Sequence, residues 1–253
     1  MHERAINPAI AALRARISQL EGEGARLREV LPFGLPSLDR RLPGGGLALG
    51  CLHEVAGGGN GAVDGAAAAC FVAGIAARTQ GKVLWCVAQQ DLFAPGLEQS
   101  GLPPDRVIHV EAGDDKSVLA CMEEGLRHGG LGAVVGDIAR LPMTASRRLH
   151  LAAKESGTIG IALRRWLRQA EASDFGQPTA AMTRWRISVL PSRSLPVPGV
   201  DRARWLIELI RARAGESLDI ELEACDGSGH LGLPADMADR PAAAEGWLRS
   251  AAG

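Results

Sequence analysis

The chain has 253 residues, of which 46% are hydrophobic and 23% are charged, and its formal net charge is −1. This composition is typical of a globular protein with room for one large domain and appendages. The alanine-rich run after Asp64 is interrupted by Gly74 and ends at Arg78, so it predicts a buried helix and not a membrane span. The N-terminus lacks the basic-then-apolar order of a signal peptide. We therefore expect a cytoplasmic protein, with association with the nucleoid left open.

Cysteine and histidine follow no spacing typical of a metal site or a disulfide framework. The five cysteines include no C-x-x-C pair, and the six histidines include no H-x-x-x-H pair. Tyrosine is absent, which excludes chemistry that depends on a tyrosine hydroxyl. We expect core thiols and no bound metal.

Residues 1–30 are predicted to form a separate N-terminal helix. Asn7 and Pro8 are suited to its first turn. Apolar residues then recur at alternating spacings of four and three, and they form a narrow stripe: Ile6, Ile10, Leu13, Ile17 and Leu20. Such a stripe packs on one neighbouring helix, either within the protein's own core or on a partner.

Residues 31–236 predict a single α/β core. Nearly uninterrupted apolar runs such as KVLWCVA, residues 82–88, alternate with helical segments, which favours a parallel sheet flanked by helices. After residue 170 the strands alternate polar and apolar residues, and ARWLIELIRAR and SLDIELEAC flank a turn as a hairpin would. The sheet is therefore expected to be extended by C-terminal antiparallel strands. Residues 237–253 are predicted to be a flexible tail.

A degenerate phosphate loop follows the first strand of this core. Residues 54–71, EVAGGGNGAVDGAAAACF, have the strand, glycine-rich loop and helix of a nucleotide site. A working loop ends in Gly-Lys-Ser/Thr, but the last three positions here fall on Ala62, Val63 and Asp64. None of the three lysines lies in the loop. Asp64 has a structural interpretation as the helix N-cap. The residues concerned are Gly57, Gly58, Gly59, Asn60, Gly61 and Asp64.

The altered loop is expected to bind a triphosphate poorly. Losing one charge-assisted contact to phosphate costs about 1.5–3 kcal/mol. A carboxylate at Asp64 adds repulsion of about 1 kcal/mol per like-charge pair at 4 Å in water, and more near a protein surface. The glycine backbone and helix N-terminus leave weak ATP/Mg²⁺ binding open. We expect no cofactor.

Positive charge is concentrated in residues 140–213, which contain thirteen arginines and one lysine against five acidic residues. Arginine on phosphate and tryptophan on a base are the contacts of single-strand binding. The alternative is that Trp185 and Trp205 lie on the apolar face of their strands, in the core. The candidate contacts to DNA or to an anionic partner are Arg140, Arg147, Arg148, Arg164, Arg165, Arg184 and Arg186.

The order of these elements resembles the RecA-type core, and several segments are similar to the ImuA family. They are LPGGGLALGCLHEVAG, LWCVAQQDLFAPGLEQSGL, CMEEGLRHGGLGAVVGDIARL and ASRRLHLAAKESG. The resemblance covers about residues 30–235 and implies an α/β, RecA-like fold. It also implies a role in damage-induced (SOS) mutagenesis and translesion DNA synthesis. The implied partners are an ImuB-type Y-family protein and an error-prone replicative polymerase subunit, with RecA and DNA as further contacts.

The same resemblance places two residues in the nucleotide site. Asp137, at the end of a buried strand, corresponds to the Walker B carboxylate. Gln90 stands where a RecA-type enzyme has the glutamate that activates water, and an amide cannot act as a general base.

Three functions remain open at this stage. The favoured hypothesis is a non-catalytic adaptor without cofactor or membrane contact. The alternatives are a divergent RecA-type DNA-dependent ATPase or recombination mediator, and a DNA-binding module whose affinity falls steeply with salt.

Overall fold

The computed structural model describes residues 29–59, 61–166, 172, 175–192, 199, 201–213 and 215–234. The predicted N-terminal helix with its apolar stripe, Asn60 of the glycine loop and the predicted C-terminal tail lie outside these residues.

The described chain begins with a small ribbon and continues into a strand–helix alternation. Strands β1 (Val30–Leu31) and β2 (Leu47–Ala48) pair antiparallel, and the short helix α1 (Pro36–Asp39) lies between them. The main elements follow in this order: β3 (Leu52–Gly57), α2 (Gly61–Ala77), β4 (Val83–Val87), α3 (Ala94–Gln99), β5 (Val107–Glu111), α4 (Asp115–His128), β6 (Ala133–Asp137), α5 (Met143–Ser156), β7 (Ile159–Arg164), β8 (Thr183–Leu190), β9 (Arg204–Ala212) and β10 (Leu218–Glu223).

The main strands form one mixed sheet in the order β10-β9-β8-β3-β7-β6-β4-β5. The pairs from β8 to β5 are parallel, whereas β8, β9 and β10 pair antiparallel. The predicted hairpin is confirmed as β9 and β10, with Ile207 opposite Ile220. The predicted fold class, a mostly parallel sheet extended by C-terminal antiparallel strands, is confirmed.

Helices cover both faces of the sheet, which explains why its inner strands are apolar throughout. Successive residues of β4 point to opposite faces. Trp85 packs in the cluster that contains α2, and Cys86 packs in the cluster that contains α4 and α5. Helix α2 is rich in alanine and glycine, so it lies close against β3, β7 and β8.

The interpretation of Asp64 as a helix N-cap was wrong. Helix α2 begins at Gly61, so Asp64 lies in its first turn and is not the N-cap. Helix α5 begins at Met143 with Pro142 before it, so Thr144 lies inside the helix. Gly157 ends α5 in the left-handed conformation, with a φ of 79°, as its sequence position predicts.

No helix in the described part of the chain is both long enough and apolar enough to cross a bilayer.

Candidate functional site

A cavity of about 440 Å³ opens at the carboxyl ends of the parallel strands. Its walls come from the first turns of α2 and α4 and from the segments that follow β4, β6 and β7. Open α/β sheets bind ligands at this edge. The charged residues that line the cavity are Asp91, Asp115, Asp137 and Arg165.

The glycine loop lies tightly against its neighbours. A Cβ atom on Gly57 would lie 2.8 Å from the backbone nitrogen of Gly65, and one on Gly58 would lie 2.2 Å from Oγ of Ser188. Gly58 N donates a hydrogen bond of 2.8 Å to the carbonyl of Ile187 in β8. A phosphate cradle needs N–H groups that point at the ligand. The N–H group of Gly58 already donates to the sheet, so it does not point at a ligand.

Asp64 links α2 to β8 instead of capping its helix. Its side chain is buried, and Oδ1 accepts a hydrogen bond of 2.9 Å from the backbone nitrogen of Val189. Asp64 therefore occupies the Ser/Thr position of a working loop with a structural carboxylate. A carboxylate at that position repels a phosphate and cannot replace the hydroxyl.

Asp137 is the last residue of β6, and its carboxylate is paired with Arg165. The Nε atom of Arg165 donates to Oδ2 of Asp137 at 2.6 Å, and Nη2 contacts the same oxygen. The Nη2 atom also donates to Oδ1 of Asp91 at 2.6 Å. The side chain of Arg165 runs past Gly65 in the first turn of α2. One guanidinium thus joins two carboxylates across the cavity.

Burial and local charge shift the pKa values of this pair. Burial raises the pKa of Asp137 to about 6, Arg165 opposes that rise, and the charges of Asp91 and Asp115 add to it. Burial lowers the pKa of Arg165, but its contacts with Asp137 and Asp91 outweigh that effect and raise it. The cavity therefore favours a cation at the position of the Arg165 guanidinium.

Asp115 and Gln90 each make hydrogen bonds to a neighbouring segment. The Asp115 carboxylate accepts hydrogen bonds from the backbone nitrogens of Ala139, at 3.1 and 3.2 Å, and Arg140, at 3.0 Å. Gln90 does not line the cavity, and its Nε2 donates to Oε2 of Glu111 at 2.5 Å. The residues next to it, Gln89 and Asp91, line the cavity instead.

A buried ionic network lies beside the cavity and is centred on Glu54 of β3. Oε1 accepts from Nη1 of Arg164 at 2.7 Å, and Oε2 accepts from Nε of Arg184 at 2.9 Å. Oε2 also accepts from the hydroxyl of Thr179 at 3.0 Å. Both Glu54 and Arg164 have 0% exposure. Arg164 and Arg184 were therefore wrongly predicted as contacts to DNA or a partner, since the strand pairing places them on either side of Glu54.

The other candidate arginines are distributed over different parts of the surface. Arg165 was predicted to contact DNA, but it is largely buried and its donors bind Asp137 and Asp91. Arg186 is partly exposed and pairs with Glu208 at 3.4 Å. Arg140, Arg147 and Arg148 are exposed, and Arg148 contacts Glu123. Only these last three form an exposed group, near the start of α5.

Trp185 and Trp205 belong to the core, as their strand alternation predicts, and Trp166, which follows β7, is buried as well. Trp166, Trp185 and Trp205 are all buried. The ring of Trp185 packs against Phe33 and Phe71, and its Nε1 donates to the hydroxyl of Thr183. The rings of Trp185 and Trp205 could not stack on a nucleic-acid base without unfolding part of the sheet.

Sequence reasoning missed Asp91 and Asp115 as members of the site. A signal for both was available, because each follows the carboxyl end of a predicted parallel strand, where ligands bind in such sheets. Arg165 follows β7 at the same edge of the sheet, but nothing in the sequence indicated its specific pairing with Asp137, which lies 28 positions away.

The chemistry of the cavity differs from that of a working nucleotide site. Three carboxylates and one guanidinium line it, so a triphosphate would meet net negative charge. Within the described ranges, no group of three or more His, Cys, Asp or Glu side chains is arranged to hold a metal ion. Asp137, which the resemblance places as a Walker B carboxylate, has its Oδ2 occupied by the guanidinium of Arg165.

The fold defines a protein with a RecA-like core. The solved structure of the RadB recombinase aligns with a TM-score of 0.55 at 18% identity, over 81% of this chain and 99% of that one. Protein ImuA of Caulobacter vibrioides is 39% identical over 229 residues, which cover 85% of this chain and 93% of ImuA. The chain belongs to the ImuA family.

A shorter similarity concerns the middle of the chain. The family model described as cell division inhibitor SulA matches residues 75–160. Cell division inhibitor SulA of Yersinia pestis is 34% identical over 82 residues, which cover 32% of this chain and 49% of that protein. The matched residues run from the end of α2 into β7.

Proposed function

We propose that this protein is a non-catalytic, RecA-like adaptor in damage-induced mutagenesis. Membership of the ImuA family supports a role in the mutagenesis cassette. The proposed partners are an ImuB-type Y-family protein and an error-prone replicative polymerase subunit in the cytoplasm, with RecA as a further contact.

The double pairing of Arg165 with Asp137 and Asp91 is the observation that carries the non-catalytic part of the proposal. The guanidinium occupies Oδ2 of Asp137, so a metal-bound triphosphate that used this oxygen would have to displace Arg165 from it. Each charge-assisted hydrogen bond that is broken costs about 1.5–3 kcal/mol. The loop offers neither a lysine nor a hydroxyl to compensate.

A divergent ATPase is the competing function, and one feature favours it. Arg165 places a cation in the cavity, and a cation is what the loop lacks. To act on phosphate, however, Arg165 would have to exchange two carboxylates for the nucleotide. The ATPase hypothesis therefore predicts turnover that is lost in an Arg165→Gln variant, whereas the adaptor hypothesis predicts no turnover in either protein.

The proposal assigns no function in DNA binding to the core tryptophans or to the buried arginines. Direct DNA contact is restricted to the exposed group Arg140, Arg147 and Arg148. This group has no exposed aromatic partner among the candidate tryptophans, so base stacking does not contribute there. An adaptor that acts through protein contacts is more consistent with this surface than a DNA-binding module.

Damage-induced mutation frequency in a strain that lacks its own copy of the gene tests the proposal. Asp137→Asn has nearly the same shape and keeps an acceptor for Arg165, but it removes the carboxylate that a metal–nucleotide complex requires. We expect wild-type mutation frequency with this variant at equal protein abundance. Loss of mutagenesis by a variant that is folded and equally abundant would support the ATPase instead.

A further inference from the structure

A second cavity, of about 760 Å³, lies at the opposite end of α2 from the first one. It is lined by the turn that joins α2 to β4, by the segment before β5 and by a turn that follows β10. Helix α2 has 17 residues, so about 25 Å separates its two ends. The charged and hydroxyl-bearing side chains at this cavity include Arg78, Lys82, Arg106, Ser228 and His230.

The cavity has cations in its wall but no carboxylate. No Asp or Glu is among its lining residues. In the described ranges, no ion pair involves Arg78, Lys82 or Arg106. This contrasts with Arg164, Arg165 and Arg184, each of which bonds to a carboxylate. The charged side chains that line the second cavity are therefore positive, whereas most of those that line the first are negative.

Carbonyl groups hold the two guanidiniums in place. Arg106 donates from Nε to the carbonyl of Gly81 at 2.9 Å and from Nη2 to that of Thr79 at 2.8 Å. Arg78 lies 5.1 Å from the ring centroid of Phe33 and donates from Nε to the carbonyl of Gly74 at 3.3 Å. These contacts satisfy the C-terminal end of α2, whose dipole carries only about half a unit of negative charge. Two full positive charges are therefore not balanced by the helix.

Donors remain for a ligand at this position. Among the described residues, no hydrogen bond uses Nη2 of Arg78, and the Lys82 ammonium contacts only the carbonyl of Asp105. Burial lowers the pKa of Arg78, and the opposing charges of Cys225 and Asp39 do not fully compensate. The Asp39 carboxylate is occupied by the backbone nitrogens of Phe33 and Gly34. A half-buried cation without a paired anion is stabilised by an anionic ligand.

We propose that this second cavity is a binding site for a phosphate group. A tetrahedral oxyanion has several oxygens that can accept from donors on different sides, here Arg78 and Lys82, whereas the Ser228 hydroxyl already donates to Asp226. A carboxylate offers only two oxygens, both in one plane. The site does not depend on the adaptor proposal, because it lies on other elements than the altered nucleotide cavity.

Titration calorimetry with inorganic pyrophosphate at low ionic strength tests the site on the full chain. We expect binding by the wild type and a loss of affinity of about tenfold or more in Lys82→Gln, because one charge-assisted contact is removed. Lys82 is exposed and holds only a surface carbonyl, so the fold should be retained. Lys154→Gln, which removes an exposed lysine of α5, is the matched control and should bind like the wild type.

A labelled duplex oligonucleotide, followed by anisotropy, distinguishes the source of the phosphate. If Lys82→Gln weakens only pyrophosphate binding, the ligand is a free phosphate compound; if it weakens DNA binding as well, the ligand includes the phosphodiester backbone. The proposal is overturned if pyrophosphate gives no binding, or if its affinity is the same in Lys82→Gln and Lys154→Gln. Binding of a glutamate-rich peptide in place of pyrophosphate would also overturn it.

Discussion

Arg165 lies beside Asp137, with its Nε atom 2.6 Å from Oδ2, and the same guanidinium contacts Asp91. The two residues come from neighbouring strands, since Asp137 ends β6 opposite Leu163 of β7 and Arg165 follows β7. The pair thus lies in the cavity at the carboxyl edge of the sheet.

Replacing Arg165 with alanine should destabilise the protein. The change leaves the Asp137 carboxylate buried and without its cation, and we expect the free energy of unfolding to fall by about 2–4 kcal/mol. Urea denaturation measures the difference. Arg186→Ala is the matched control, because Arg186 is more exposed and its ion pair with Glu208 is 3.4 Å long. That variant should lose less than about 1 kcal/mol. Equal losses would mean that the Arg165 pair contributes no more than a surface contact.

The Glu54 network predicts a second and larger effect. Glu54→Gln removes the carboxylate charge that both Arg164 and Arg184 contact in the core, and breaking such a buried pair costs about 3–5 kcal/mol. Glu221→Gln is the control, since Glu221 is half exposed and pairs with Arg204 at the sheet edge. We expect a change within about 1 kcal/mol there. If Glu54→Gln unfolds at the same urea concentration as the wild type, the network does not stabilise the core.

His53 should make stability depend on pH. Burial lowers its pKa to about 4, and its ring nitrogens lie 2.7 Å from the hydroxyl of Thr183 and 2.9 Å from the carbonyl of Ala48. The unfolded chain binds a proton near pH 6.5 but the native ring does not, so this contribution to stability is lost as pH falls from about 6.5 to 4. The full loss corresponds to about 3 kcal/mol.

A His53→Gln variant should have a flatter stability profile between pH 6.5 and 4. Thermal unfolding at a series of pH values measures that profile. His109→Gln, at an exposed position of β5, is the matched control for the loss of one histidine. The assignment is contradicted if the two variants show the same dependence on pH.

The adaptor proposal predicts that a terminal segment contributes to partner binding. Deletion of residues 1–22 removes the apolar stripe, and deletion of 237–253 removes the predicted tail. We expect the described core to stay folded in both variants, and at least one of them to copurify less well with an ImuB-type partner. Circular dichroism reports the fold of each truncated protein. Undiminished copurification of both would place the partner surface on the core.

The sheet could be predicted from the sequence because its signals are local. Apolar runs mark the buried strands, and Gly157 marks a helix end by its tolerance of positive φ. The tryptophan positions followed from strand alternation. These features depend on residues that are neighbours in the chain, so they can be predicted from composition and spacing.

The electrostatics of the site could not be predicted in the same way. Glu54 and Arg164 are separated by 110 positions and meet only because β3 pairs with β7. The sequence of a basic segment does not show whether an arginine contacts a ligand at the surface or pairs with a buried carboxylate. For this reason Arg164, Arg165 and Arg184 were misassigned. The absence of a lysine from the loop was visible in the sequence, but the guanidinium that enters the cavity was not.

ATP hydrolysis by the purified full chain, with and without single-stranded DNA, tests the central claim most directly. The account predicts no turnover above background in either condition, because Arg165 contacts the carboxylate that a metal–nucleotide complex would need and the loop lacks its lysine. DNA-stimulated turnover that disappears in an Asp137→Ala variant would contradict it.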